Sequence, residues 1–450
     1  MRKLTRLGVW VGAALLATSA GANGFAQAAS SPEAGNSAAQ GTKAATSAAP
    51  PAPAPAAPAG PNQPPPPPPA FTSSGALSFS GAETIDVMAD IGGGIAQGVK
   101  LLTKTNLSAS YDGDTGDHPG WTGQASVQFF KGGHISAANV GDIQGVDSIE
   151  AYNALRLYEL WVQKQWGGGR YGFKFGFTDL NVDFDTQQVA ALFVNSSDGV
   201  GAEFGHSGLN GPSIYPITTL ALTGFYKPAD PWTLRAGVVN GLSGSQSSPS
   251  AFVALHISAR TGLLLVVQAE HAGNAGLRTY VGAWDYTANF DALHQFDSAG
   301  NPLPRARMRG LYGLVEGQIA GGSDGRSLSG WVRAGLGDPV VERISGFIGG
   351  GLVTAGLFKG RTEDQSGISV NHAIVDQPNL PPFARPAKRA ETAIELTYRV
   401  QARDWLAVQP DLQYVHRPNG DPAIASALVI GVRLSVNLTR NLVNTIKGGP

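Results

Sequence analysis

The chain is 450 residues long, with a formal net charge of -1, 14% charged residues, 60 glycines and no cysteine. So even a charge balance gives no reason to expect nucleic acid as a partner. Without cysteine there are neither disulfides nor thiolate metal sites.

Residues 1–28 read as a secretory signal peptide. Arg2, Lys3 and Arg6 form a basic start, Leu7 to Leu16 an apolar run, and Ala26-Gln27-Ala28 a small-x-small cleavage site. A membrane anchor is the alternative, but the run falls short of the roughly 20 apolar residues a spanning helix needs. Residues 29–76 are rich in Ala, Pro and Ser, with six consecutive prolines from Pro64 to Pro69. Such a stretch cannot bury a core, so a disordered or polyproline linker is expected. It serves either as a plain spacer or as a tether through peptidoglycan.

No later stretch has the length and apolarity of a spanning helix. The most apolar one, Gly262 to Val267, is strand-sized. An exported chain of this kind is either soluble in the periplasm or a barrel, since in lipid only helices and closed barrels satisfy their backbone groups.

From about Ala76, segments of roughly ten residues alternate apolar and polar between Gly, Asn, Asp and Pro, as membrane strands do. Ile85, Val87, Ala89 and Ile91 oppose Thr84, Asp86 and Asp90. Tyr171, Phe173, Phe175 and Phe177 oppose Arg170, Lys174 and Thr178. Near the end, Leu428, Ile430, Val432, Leu434, Val436 and Leu438 oppose Val429, Gly431, Arg433, Ser435 and Asn437. About 16 such segments, give or take one, lie between Thr84 and Leu438. Their number, their length and the aromatics near their ends (Tyr111, Trp121, Tyr171, Trp232, Trp405, Tyr414) favour one barrel over a soluble sandwich. The expected fold is an all-β transmembrane antiparallel barrel over residues 77–438, with a tail at 439–450.

Several blocks are similar to a known family. They are Gly113 to Phe129, Gly141 to Val146 running to Leu157-Tyr158-Glu159-Leu160-Trp161, Phe175 to Asp185, Leu192 to Ser197, Gly211 to Pro216, and Glu391 to Tyr398 with Gln409 to Tyr414. Together they resemble the carbohydrate-selective porins of the OprB type over roughly residues 77–438. The resemblance implies a 16-stranded barrel with inward-folded loops and a charged, polar constriction passing glucose and other small sugars. Two features depart from the family pattern. A long Pro-rich segment precedes the barrel, and the chain continues past Leu438 through Thr439 to Pro450 instead of ending on an aromatic.

A pore selects a neutral sugar with donors and acceptors around a waist and an occasional aromatic, and it must bind weakly. On the segment Leu157 to Gln165, Tyr158, Leu160 and Val162 read as the lipid face, with Glu159, Trp161, Gln163 and Gln165 facing the lumen. Trp161 between Glu159 and Gln163 is either a sugar-stacking site or packing against an inward loop. Lys174, Arg235, Arg333, Glu395, Arg399 and Arg433 are further inward positions; each lines the waist or is an ordinary solvated lumen residue. The stretch Asp179 to Pro216, with Asp179, Asp183, Asp185, Asn195, His206 and Asn210, is too long for a tight turn. It is expected to fold in and narrow the pore, the alternative being a surface cap.

Other chemistry finds no support. Asp112, Asp114 and Asp117 miss the spacing of a calcium loop. There is no H-E-x-x-H zinc motif, no G-x-S-x-G nucleophile element and no phosphate loop around Gly349-Gly350-Gly351. No cofactor, metal or catalytic residue is expected. Expected partners are small sugars and outer-membrane lipid, with peptidoglycan through the linker. The reading is a Gram-negative outer-membrane sugar porin; the alternative is a general diffusion or structural barrel whose Pro-rich arm matters more than its pore.

Overall fold

A computed structural model describes residues 76–437, apart from positions 116, 245–249, 254, 274–275, 323–324 and 377–388. The signal, linker and tail segments lie outside the described residues.

Eighteen strands follow one another among the described residues: β1 (Leu77–Gly94), β2 (Gly98–Asp112), β3 (Trp121–Gly132), β4 (Ala154–Trp166), β5 (Tyr171–Thr178), β6 (Thr219–Tyr226), β7 (Trp232–Asn240), β8 (Leu263–Ala272), β9 (Arg278–Tyr286), β10 (Asn289–Phe296), β11 (Pro302–Ala306), β12 (Arg309–Gly321), β13 (Ser327–Gly337), β14 (Ile344–Ala355), β15 (Gln365–Val375), β16 (Arg389–Arg403), β17 (Leu406–His416) and β18 (Ala425–Asn437). Sixteen of them close into an antiparallel barrel, with β12 beside β9; β10 and β11 form a separate hairpin within that connection. The barrel closes where β1 pairs with β18, Asp86 opposite Arg433 and Ile85 opposite Leu434. The strand count read from alternation is therefore the barrel's own.

Alternation works because successive side chains on a strand point to opposite faces. Val87, Ile91, Phe175, Leu396, Leu412 and Ile430 stand exposed on the outside, as expected of an apolar outer belt. Between β4 and β5 the chain turns through Gly167, Gly168 and Gly169, all at positive φ (64°, 67°, 80°), a conformation that residues with a Cβ rarely adopt. The connections fall into two sets. Residues 133–153, 179–218, 241–262 and 287–308 are long and share one end, while 167–170, 227–231 and 404–405 are tight turns at the other.

One expectation about facing needs correction. Tyr158 does not lie on the outer face. Opposite β3, Ser126 pairs with Glu159 but Val127 with Leu157, so β4 carries an extra residue at Tyr158. This β-bulge turns both Tyr158 and Glu159 inward, where both are buried. The run at β8 is apolar on both faces, with Leu263, Leu265 and Val267 exposed in the outer belt. Leu264 and Val266 face inward but pack with Leu180, Phe184 and Phe204 of the 179–218 segment, in one cluster with Tyr280, Trp284, Tyr312 and Trp331 of the wall.

Candidate functional site

The segment 179–218 leaves β5, crosses the barrel interior against the inner wall as far as β17, and returns to β6. Backbone amides do much of the anchoring. Glu316 of β12 accepts from the N–H groups of Gln188 and Val189, both at 2.9 Å. Glu395 of β16 takes those of Val194 and Asn195 at 2.7 and 2.9 Å. The segment 133–153 is held the same way, with Glu391 accepting from Ile143 and Gln144 at 2.9 and 3.0 Å. Amides supply the return contacts: Gln409 donates to the Leu192 carbonyl and Gln413 to that of Val146, each at 2.8 Å. A carboxylate receiving two adjacent N–H groups is a charge-assisted, two-pronged contact that fixes orientation as well as distance.

A buried ionic group fastens the segment's middle. Arg333 of β13 reaches Asp185 through Nε and Nη2 at 3.1 and 2.7 Å, and Glu203 through Nη1 and Nη2 at 2.7 and 2.6 Å. Tyr280 donates to Asp185 as well, at 3.1 Å. Burial holds the Glu203 carboxyl above its usual range even with Arg333 beside it. Burial also pushes Asp198 up to about 7, its carboxyl meeting the hydroxyl of Ser369 at 3.1 Å.

Four expected site residues therefore have other surroundings than a solvated pore. Arg333, Asp185, Glu395 and Asn195 are all buried between segment and wall. Their polar groups meet one another and backbone amides, so the expected pore-lining place of Arg333 and Glu395 is corrected. Asp179 is engaged at the foot of the segment, accepting from the Tyr158 hydroxyl and the Asn181 amide. Arg399 is inward and half-buried on β16, opposite Gln365 of β15 and four residues along the strand from Glu395. Arg433 holds Asp86 at 2.7 Å and reaches Asp147 of the 133–153 segment at 3.2 Å.

The remaining expected residues converge. Gln163, Lys174 and Arg235, from β4, β5 and β7, line one shallow pocket with Asp183, Phe184, Thr223 and Phe225. Lys174 pairs with Asp183 at 2.6 Å, and Arg235 with Glu270 at 2.8 Å. Glu270 also meets Arg278 at 3.0 Å, which continues to Glu316 at 2.8 Å. Beside the pocket, Glu159 accepts from Gln124 at 2.6 Å and from the Trp161 indole at 3.2 Å. The Lys174 ammonium lies 4.9 Å from the centroid of the Trp161 ring, a cation–π contact that occupies that face. Glu270, Arg278, Glu316, Glu391 and Phe225 were missed from the sequence. Inward parity marks them no differently from any other lumen side chain.

A closed barrel with an apolar outside, polar groups inside and a long segment laid through its interior defines a porin-class channel. The defining pattern of the carbohydrate-selective porin, OprB family matches residues 108–438, and the chain belongs to that family. Porin B of Pseudomonas aeruginosa is 25% identical over 353 residues, covering 69% of this chain and 76% of that protein. The high-pH structure of Pseudomonas putida OprB superposes with a TM-score of 0.69 at 19% identity, covering 80% of this chain and 94% of that one. Its low-pH structure gives 0.51 at 16% identity, with 80% and 92% covered.

Proposed function

We propose that this protein stands in the outer membrane of a Gram-negative cell and lets small neutral sugars such as glucose diffuse passively through a constriction between the 179–218 segment and the wall of β4 to β8. The long connections then face outward and the tight turns the periplasm, the usual arrangement of such barrels. The observation that carries the reading is the pocket edged by the pairs Lys174–Asp183 and Arg235–Glu270. Each pair is internally neutral, so a charged solute gains little net attraction. A sugar hydroxyl, which both donates and accepts, meets a partner of either kind. Because each cation already has a counter-ion, binding stays weak enough for release.

The test is single-channel current in a planar bilayer under glucose titration. Saturable block is expected. Ion current that glucose leaves untouched at all concentrations would replace this reading with general diffusion.

A further inference from the structure

Four inward aromatic rings lean across a glycine directly opposite on the neighbouring strand. Tyr312 faces Gly282, Trp284 faces Gly310, Trp331 faces Gly351 and Phe225 faces Gly172. A Cβ at any of these glycines would come within 2.3 to 2.5 Å of the ring, so the glycine is what lets the ring lie over the wall. In three of the four, the interior segment covers the ring. Phe204 stacks on Trp284 at 5.7 Å and on Tyr312 at 5.6 Å, with interplanar angles of 19° and 17°. Phe193 sits 5.1 Å from Trp331.

Phe225 has the same seat, but among the described residues a lysine, not a ring of the interior segment, lies over it. It is half-buried, and among the described residues no aromatic ring pairs with it. Lys227 approaches at 5.6 Å from the ring centroid. Phe225 also lines the pocket that holds Lys174, Asp183 and Arg235. The wall thus presents an aromatic ring of the kind that elsewhere receives a flat apolar partner, next to hydroxyl-binding groups.

We propose that Phe225 is the platform on which a sugar ring lies as it passes, its C–H face against the phenyl ring and its hydroxyls toward Gln163, Lys174 and Arg235. The proposal rests on the channel reading above and narrows its substrate class. A pyranose presents a rigid, weakly apolar C–H face to the ring's electron-rich surface, which an open-chain polyol does not. Trp161 is the less suitable platform, because Lys174 lies closer over its ring, at 4.9 Å against 5.6 Å for Lys227 over Phe225, and Glu159 holds its N–H.

The experiment compares block of single-channel current by glucose and by sorbitol in the intact barrel, wild type against Phe225→Leu and Phe225→Trp. Leucine keeps an apolar side chain of similar bulk but removes the ring face. Wild type should bind glucose more tightly than sorbitol. Phe225→Leu should weaken glucose about tenfold, or about 1.4 kcal/mol, and sorbitol much less. Phe225→Trp should restore glucose binding. Glucose block in Phe225→Leu equal to wild type, or an equal loss for both solutes, overturns the platform while leaving the sugar channel standing. Absence of block by either solute in wild type defeats the channel reading and the platform with it.

Discussion

Two arcs of one barrel treat inward polar side chains in opposite ways. Along β12 to β16, Glu316, Arg333, Glu391 and Glu395 are at most 2% exposed, and their charges are spent on the interior segments. Along β4 to β8, Glu159 and Lys174 are buried too, but Gln163, Arg235 and Glu270 keep partial contact with the lumen, and the Arg235 side chain is 24% exposed. The same residue types on the same parity of strand are a fastening on one side and a wet lining on the other. What decides is whether a second layer of chain lies over them. A charge in the covered arc has lost its water and must be fully paired, whereas one in the open arc keeps solvent as a fallback.

The sharpest way to break this contrast is to remove the central fastening. Arg333→Ala strands Asp185 and Glu203 without a counter-ion in a water-free setting. The expected loss is about 3–5 kcal/mol, read as a lower unfolding midpoint and larger, noisier open-channel current as the segment leaves the wall. Unchanged stability would mean that the covered arc is wetter than its burial implies.

A milder break is Glu395→Gln, which leaves one acceptor oxygen for two amides. One buried N–H then goes unsatisfied, at about 1–3 kcal/mol. Hydrogen exchange should show faster exchange confined to Val194 and Asn195 and their neighbours. Uniform change across the barrel would contradict a local clamp.

pH gives a third handle. Asp198 is raised by burial to about 7 in the folded chain, above the ordinary carboxyl value, so the folded state binds the proton more tightly than the unfolded one. Its contribution to stability is present at acid pH and falls away as pH rises from about 4 through about 7. Segment seating, followed by exchange near Ser197, should therefore loosen from pH 5 to 8, and Asp198→Asn should flatten that slope. A slope that survives the substitution assigns the effect to another carboxyl.

The open arc should respond least in stability. Arg235→Ala removes a part-solvated pair whose contribution to folding is about 0–1 kcal/mol. Glucose flux in liposome swelling should change nonetheless, while the unfolding midpoint hardly moves. A large loss of stability with no change in flux would make Arg235 a fastening like Arg333.

This contrast explains what the sequence could and could not reveal. Alternation carried the sixteen strands and the outward belt, because lipid admits no exceptions on that face. Inward positions have two possible neighbours, water or chain, and parity does not distinguish them, so Arg235 and Arg333 looked alike. A signal for cover did exist. Inward Trp284, Tyr312 and Trp331, together with a β8 run that is apolar on both faces, mark a dry patch under the segment. The bulge at Tyr158 left no comparable trace, since an extra residue in a strand is visible only against its partner's register.

The clamps at Glu316, Glu391 and Glu395 grip chiefly main chain, Glu391 adding the side-chain amide of Gln144. Every residue except proline offers that main-chain handle, so these hydrogen bonds do not depend on the side chain at half-buried Gln188, whereas Val189 and Val194 also pack into buried apolar clusters. A barrel built this way separates heritable change in its filter from the mounting that carries it. New solute preferences are then reachable by small edits, each leaving the frame intact.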